Sequence, residues 1–249
     1  MRKISDLISY LHVWFIFFPV FSIATVLMSS LAVILAVSGK PRLGSRIAGT
    51  LWARISILMT FSKTEVLGRE KIDPNQSYVI VANHLSTFDI FLIYGRLGLD
   101  FKWVMKQEIK YYPFIGYACD KLEHIFIDRS NTESAVHTLL TAEERIKDGV
   151  SVFFFPEGTR HRKLGRFKKG AFRMALDLNL PILPVTIVGS EKIIPSKSIK
   201  IFPGHAQLIF HDPIDIQGYT NENLRDLVEL SHDIVMAPLV KKEAIAQPV

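Results

Sequence analysis

The chain has 249 residues, 49% hydrophobic and 22% charged, which suits one α/β domain with at most a small appendage and excludes a mainly disordered polypeptide. Thirty Lys and Arg against 24 Asp and Glu leave a formal charge of +6, which favours an anionic partner: a phospholipid surface, a phosphorylated substrate or nucleic acid. The single cysteine, Cys119, excludes a disulfide framework and a Cys-rich zinc site, and the mean hydropathy of +0.23 points to apolar surface that faces lipid.

The N-terminal sixty residues carry that surface. No Asp, Glu, Lys or Arg occurs from Leu7 through Gly39, and this apolar run exceeds the roughly 20 residues that cross a bilayer. It is also too long for the apolar part of a cleaved signal peptide. Basic residues flank both ends, Arg2 and Lys3 before it and Lys40, Arg42 and Arg46 after it, so the positive-inside rule gives no clean orientation. Pro19 can kink or break the helix. A second segment places Ile47, Leu51, Ile55, Leu58 and Met59 at helical spacing beside Arg46 and Arg54, the pattern of an amphipathic helix in the interface. Two helices dipping into one leaflet and a true span both fit. Residues 1–62 are therefore expected to be membrane-anchoring helices and 63–249 an α/β domain.

Polar residues Lys63–Gln76, with Gly68 and Pro74, read as a linker. Beyond it, β-rich apolar runs are expected to form strands at Ser77–Asn83, Phe101–Met105, His124–Ile127, Val150–Phe155, Ile182–Gly189, Ile199–Phe202 and Ala206–Phe210. Thr132–Lys147 and Asn221–Leu239 carry helical periodicity. This alternation predicts a mixed, partly parallel sheet flanked by helices.

Candidate chemistry gathers at strand ends. In NHLSTFD (Asn83–Asp89), His84 and Asp89 do not share a face of one regular helix. They meet only if His84 lies in a loop and a helix begins after it, with Ser86 or Thr87 as its cap. Imidazole can then take a proton from a hydroxyl while the carboxylate fixes its tautomer. The same residues also fit a loop histidine beside a helix-start carboxylate. In FPEGTR (Phe155–Arg160), Pro156 stops a strand and Gly158 permits a tight turn with exposed amides. Those amides and Arg160 would cradle phosphate, or Glu157 and Arg160 form a surface ion pair. The basic run Arg160, Arg162, Lys163, Arg166, Lys168 and Lys169 adjoins this turn and suits anionic headgroups. Its neighbours lack the stacked aromatics of nucleic-acid binders, so no nucleic-acid partner is expected. In IFIDR (Ile125–Arg129), Arg129 can bind phosphate or sit on the surface, and Lys106 follows another strand. The carboxyl edge of an α/β sheet is where ligands bind. Scattered His residues lack ligand spacing, so no metal is expected.

The four blocks NHLSTFD, IFIDR, FPEGTR and LPILPVTI, in this order, resemble those of the glycerolipid acyltransferase family, with its HX4D motif, over about Asn83–Val188. The resemblance implies acyl transfer from acyl-CoA or acyl carrier protein, as co-substrate and with no cofactor, to a glycerophosphate hydroxyl. The sn-2 hydroxyl of lysophosphatidic acid is the expected acceptor and phosphatidic acid the product. It makes His84 and Asp89 catalytic and assigns substrate phosphate to Lys106, Arg129, Glu157, Gly158, Thr159 and Arg160. Glycerol-3-phosphate, another lysophospholipid, or a non-catalytic membrane-surface binder remain as alternatives. An anionic phospholipid membrane is the expected partner, and the soluble donor places the α/β domain on the cytoplasmic side of the inner membrane. Two positions depart from the pattern: Glu123, where Gly is frequent, and His161, where Ser is common. Cys119, in an apolar stretch, reads as packing and not as an acyl carrier.

Overall fold

The computed structural model describes residues 2–128, 146, 148–158 and 165–246. The chain starts with α1 (Arg2–His12), which continues through a π-helical turn, Val13–Phe17, into α2 (Phe18–Val37). Pro19 therefore does not break the helix. A proline ring crowds the carbonyl four residues earlier and leaves it without a donor, and the wider π turn lies where that carbonyl would be. After Gly39, whose φ is +78°, α3 (Pro41–Gly44) leads through a second π turn, Ser45–Gly49, into α4 (Thr50–Met59).

Among the described residues the sheet has seven strands: β1 (Lys63–Leu67), β2 (Val79–Ala82), β3 (Asp100–Lys106), β4 (Ile125–Ile127), β5 (Val150–Phe154), β6 (Ile182–Val188) and β7 (His205–Phe210). Their order is β1-β7-β6-β2-β5-β3-β4. Every neighbouring pair is parallel except β6 and β7, so the sheet is mixed and partly parallel. Two sequence expectations need correction. The segment read as a linker contains β1, an edge strand whose side chains alternate between exposed and half-buried. Ile199–Phe202 is no strand: it is irregular chain whose Ile201 packs into the core.

The further α-helices among the described residues are α5 (Phe88–Arg96), α6 (Ile115–Lys121), α7 (Gly170–Leu178), the short α8 (Ser190–Ile193) and α9 (Leu224–Ala246). The two faces of β2 feed two cores. Ile80 and Ala82 pack with Phe88 and Leu92 of α5, Ala53 and Ile57 of α4, and Val13 and Phe17. Val79 and Val81 pack with Phe172 and Ala175 of α7 and Leu227 and Val235 of α9. That split is the period-2 alternation of a strand covered on both sides.

This topology creates a crevice. The chain leaves β2 through α5 for β3 on one side and leaves β5 through α7 for β6 on the other. The carboxyl ends of the adjacent strands β2 and β5 thus form a topological switch point, where open α/β sheets bind ligands.

The N-terminal helices lie along the α/β domain. Ser9 Oγ both donates to the Ile201 carbonyl and accepts its amide, each at 2.9 Å, and Lys200 pairs with Asp6 at 2.8 Å. Phe21 and Trp52 pack their rings against Phe91 of α5, and Ala32 and Ala48 pack against Ala118 and Leu122. Their outward faces stay apolar: Leu7, Phe15, Ile23 and Leu27 are exposed, as are Leu51 and Leu58. Ile4–Val37 is long and apolar enough to cross a membrane by length and composition.

Candidate active site

His84 sits in the loop between β2 and α5, and Asp89 in the first turn of α5. His84 Nδ1 and Asp89 Oδ2 are 2.9 Å apart. The same oxygen accepts the amides of Leu85 and Ser86 at 2.8 and 2.9 Å. Ser86 Oγ in turn accepts the Phe88 amide at 3.0 Å, a reciprocal cap that starts α5 and turns the carboxylate back toward the loop. Asp89 is fully buried, while the His84 side chain keeps 12% of its surface exposed. Asp89 accepts, so Nδ1 carries the proton and Nε2 carries the lone pair.

The ring is also held from beside and below. It stacks on Phe155, just past β5, with centroids 3.9 Å apart and planes 11° from parallel. Asn83 Oδ1 accepts the Ile187 amide and its Nδ2 donates to the Ile187 carbonyl, so a side chain extends the β2–β6 ladder by one residue.

Glu157 takes a place different from the one expected of a phosphate ligand. Its carboxylate is buried; Oε1 accepts the His84 amide and Oε2 the Gly165 amide, both at 2.8 Å. It braces two loops across the switch point, and a carboxylate has the wrong charge to meet an anion. Gly158 has φ +79°, as the turn reading requires, but its amide donates to the Phe155 carbonyl at 3.0 Å and closes the turn. That amide is accordingly engaged within the turn and does not point out as a free donor. Lys106 ends β3, half-exposed and 3.6 Å from Glu108. Arg166, Lys168 and Lys169 are exposed, and the Lys168 amide bonds Pro156, which keeps this part of the basic run beside the crevice. Arg129, Thr159 and Arg160 lie outside the described residues, as does the expected helix 132–147 apart from Ile146.

Two further residues singled out by the sequence have clear local environments. Cys119 is pushed up to about 12 by desolvation, so at neutral pH it is a thiol without the nucleophilicity of a thiolate. Glu123 has φ +62°, the left-handed conformation that favours Gly. Its carboxylate pairs at 3.0 Å with the buried Lys102.

A family model described as Acyltransferase matches residues 63–188, which include β1 to β6 and the whole crevice. The chain belongs to this acyltransferase family. Relatives include a chloroplast 1-acyl-sn-glycerol-3-phosphate acyltransferase of Brassica napus, 40% identical over 66% of this chain and 48% of that protein. A 1-acyl-sn-glycerol-3-phosphate acyltransferase of Haemophilus influenzae is 33% identical over 63% of this chain and 66% of its own. The chain spans about half the length of the chloroplast relatives it matches. The crystal structure of the 1-acyl-sn-glycerophosphate acyltransferase of Thermotoga maritima superposes over 100% of both chains with a TM-score of 0.78 and 28% identity.

Proposed function

We propose that the chain is a 1-acyl-sn-glycerol-3-phosphate acyltransferase. It takes an acyl group from acyl-CoA or acyl carrier protein and places it on the sn-2 hydroxyl, giving phosphatidic acid. The observation that carries this reading is the His84 Nδ1–Asp89 Oδ2 bond of 2.9 Å at the switch point.

With Nδ1–H held by Asp89, Nε2 takes the hydroxyl proton as the oxygen attacks the thioester carbonyl. The C–O bond forms, the carbonyl π electrons move to oxygen, and the tetrahedral adduct then expels the thiolate. The imidazolium returns its proton to that sulfur, so His84 ends neutral and the products are ester and thiol. Lys106, with Arg129 and Arg160, holds the acceptor's phosphate, so the hydroxyl reaches the imidazole in a fixed position. Glu157 and Phe155 position His84 without touching substrate.

Residues 1–62 act as the anchor. A helix fastened to a polar domain at Ser9, Phe21 and Ala32 has only its outer face left for lipid. This supports helices lying in one leaflet over a perpendicular span. The acceptor's chain then stays in lipid while its headgroup reaches the crevice, and the soluble donor arrives from the cytoplasmic side of the inner membrane.

The test is turnover of purified protein with acyl-CoA and acyl carrier protein donors against lysophosphatidic acid, glycerol-3-phosphate and lysophosphatidylcholine. Lysophosphatidic acid should be the preferred acceptor. Preference for either of the others would reject the acceptor assignment, and no transfer to any would reject the activity.

A further inference from the structure

At the opposite, amino edge of the sheet lies a cleft of about 900 Å³ lined by Arg42, Arg46, Arg54, Arg69 and Arg96. Asp100 at the start of β3 and Gly149 just before β5 belong to its wall. The length of β3 separates it from the Lys106 end by about 20 Å.

The guanidinium groups are built in. Arg69 donates to the carbonyls of Arg96 and Leu97 and lies 5.5 Å over the Phe210 ring. A Cβ at Gly98 would fall 2.1 Å from Arg69 Nη1, so glycine makes room for it. Arg54 bonds the Gly95 carbonyl at 3.2 Å and Arg96 the Thr64 hydroxyl at 2.8 Å. Asp100 neutralises Arg42 and Arg46, and Asp148 is the other carboxylate in the lining. Arg54, Arg69 and Arg96 have no carboxylate partner among the described residues. Neutral acceptors, carbonyls for Arg54 and Arg69 and a hydroxyl for Arg96, fix these cations without neutralising them, and partial burial lowers the Arg69 pKa by desolvation.

The cleft borders the lipid-facing surface. Arg42, Arg46, Thr50 and Arg54 recur every four residues and line it. Leu43, Ile47 and Leu51, each one position on, form the adjacent exposed apolar stripe. A molecule with acyl chains along that stripe would bring its phosphate to the arginines.

We propose that this cleft is a second anion site, distinct from the reaction centre, that binds a phosphate group, with the headgroup of an anionic phospholipid as its source. The lipid source rests on the membrane reading above; the phosphate chemistry does not.

The test compares full-length wild type with Arg54→Gln/Arg69→Gln, using phosphatidylcholine vesicles with and without phosphatidylglycerol, and inorganic phosphate by calorimetry in detergent. Each arginine removed should lower the preference for anionic vesicles about fivefold, with binding to neutral vesicles unchanged. Arg173→Gln, on α7 against the other face of the sheet, controls for net charge and should change it less than twofold. If the double variant loses phosphate binding but keeps vesicle preference, the site stands and its occupant is a soluble phosphate. Unchanged binding in both arms, or an equal loss in Arg173→Gln, overturns the site. Arg54→Gln alone, which removes one bond to a carbonyl, serves if the double variant melts early. Failure of wild type to bind neutral vesicles would count against the membrane reading, while the calorimetry still reads the cleft.

Discussion

In the proposed mechanism His84 is useful as a base only in the tautomer and orientation that its neighbours impose. His84→Ala should lower kcat by roughly 10²–10⁴-fold while lysophosphatidic acid binding, measured directly, stays near wild type; unaltered turnover would remove the imidazole from the mechanism. Asp89→Asn keeps the shape but can present an amide N–H to Nδ1, favouring the wrong tautomer, and should cost roughly 100-fold or more in kcat. A second histidine makes stability depend on pH. His124 Nδ1 accepts the Trp103 amide, so its Nε2 proton goes to the Tyr94 hydroxyl 2.5 Å away, and burial lowers its pKa to about 3. The unfolded chain, titrating near 6.5, binds the extra proton between these values. Stability should therefore fall as pH drops below about 6.5, by up to about 1.4 kcal/mol per unit, and urea midpoints at pH 7 and pH 5 should diverge less in His124→Gln. The His84–Asp89 contact was foreshadowed in NHLSTFD, where a loop histidine, a capping Ser and a first-turn Asp allow the two side chains to meet, although the local pattern alone left its role open. The brace from Glu157 and the stack on Phe155 were not. They depend on β2 and β5 being neighbours, and strand order is a long-range property that no local pattern encodes.

Strands with two buried faces announce themselves, and so β2, β5 and β6 follow from continuous apolar runs such as VIVA and VSVFF. The edges did not. KTEVL of β1 mixes charge into its alternation because one side faces water, and the ladder with β7 supplies what composition lacks. Ile199–Phe202 has strand-like content, yet its one deeply buried residue, Ile201, uses its backbone to receive Ser9 from α1. That contact is testable. Ser9→Ala would leave both Ile201 groups without this partner and should cost about 1–3 kcal/mol, read as a lower thermal midpoint. At the other end of the same interface, a Cβ on Gly49 would lie 2.4 Å from Tyr94 Cε1. Gly49→Ala should displace a ring already bound to His124 and destabilise by about 1–3 kcal/mol; an unchanged midpoint would show that α4 and α5 slide apart freely.

For the molecule as a whole, the proposed reaction requires a water-soluble donor and a bilayer-bound acceptor to meet in one crevice. The helix Ile4–Val37 satisfies the length and composition of a span, but one side of it is already engaged by the domain. From Ser9 to Ala32 it is stitched to elements of the α/β domain, whose Lys, Asp and Glu residues cannot follow it into hydrocarbon. Turning the helix upright would break those contacts and expose the small-residue seam at Ala32, Ala48 and Ala118. Lying flat, it keeps them and submerges exposed apolar side chains such as Leu7, Phe15, Ile23 and Leu27, with Arg46 and Arg54 of the neighbouring segment at headgroup depth. The two arrangements differ in where the N-terminus emerges. In the flat arrangement it lies on the same side as the α/β domain; in a single span it crosses. An epitope placed before Met1 and another after Val249 should therefore be digested together when protease is added to inside-out membrane vesicles and protected together in right-side-out ones. Protection of one epitope alone would establish a span and would require α1 and α2 to leave the domain on which they are packed.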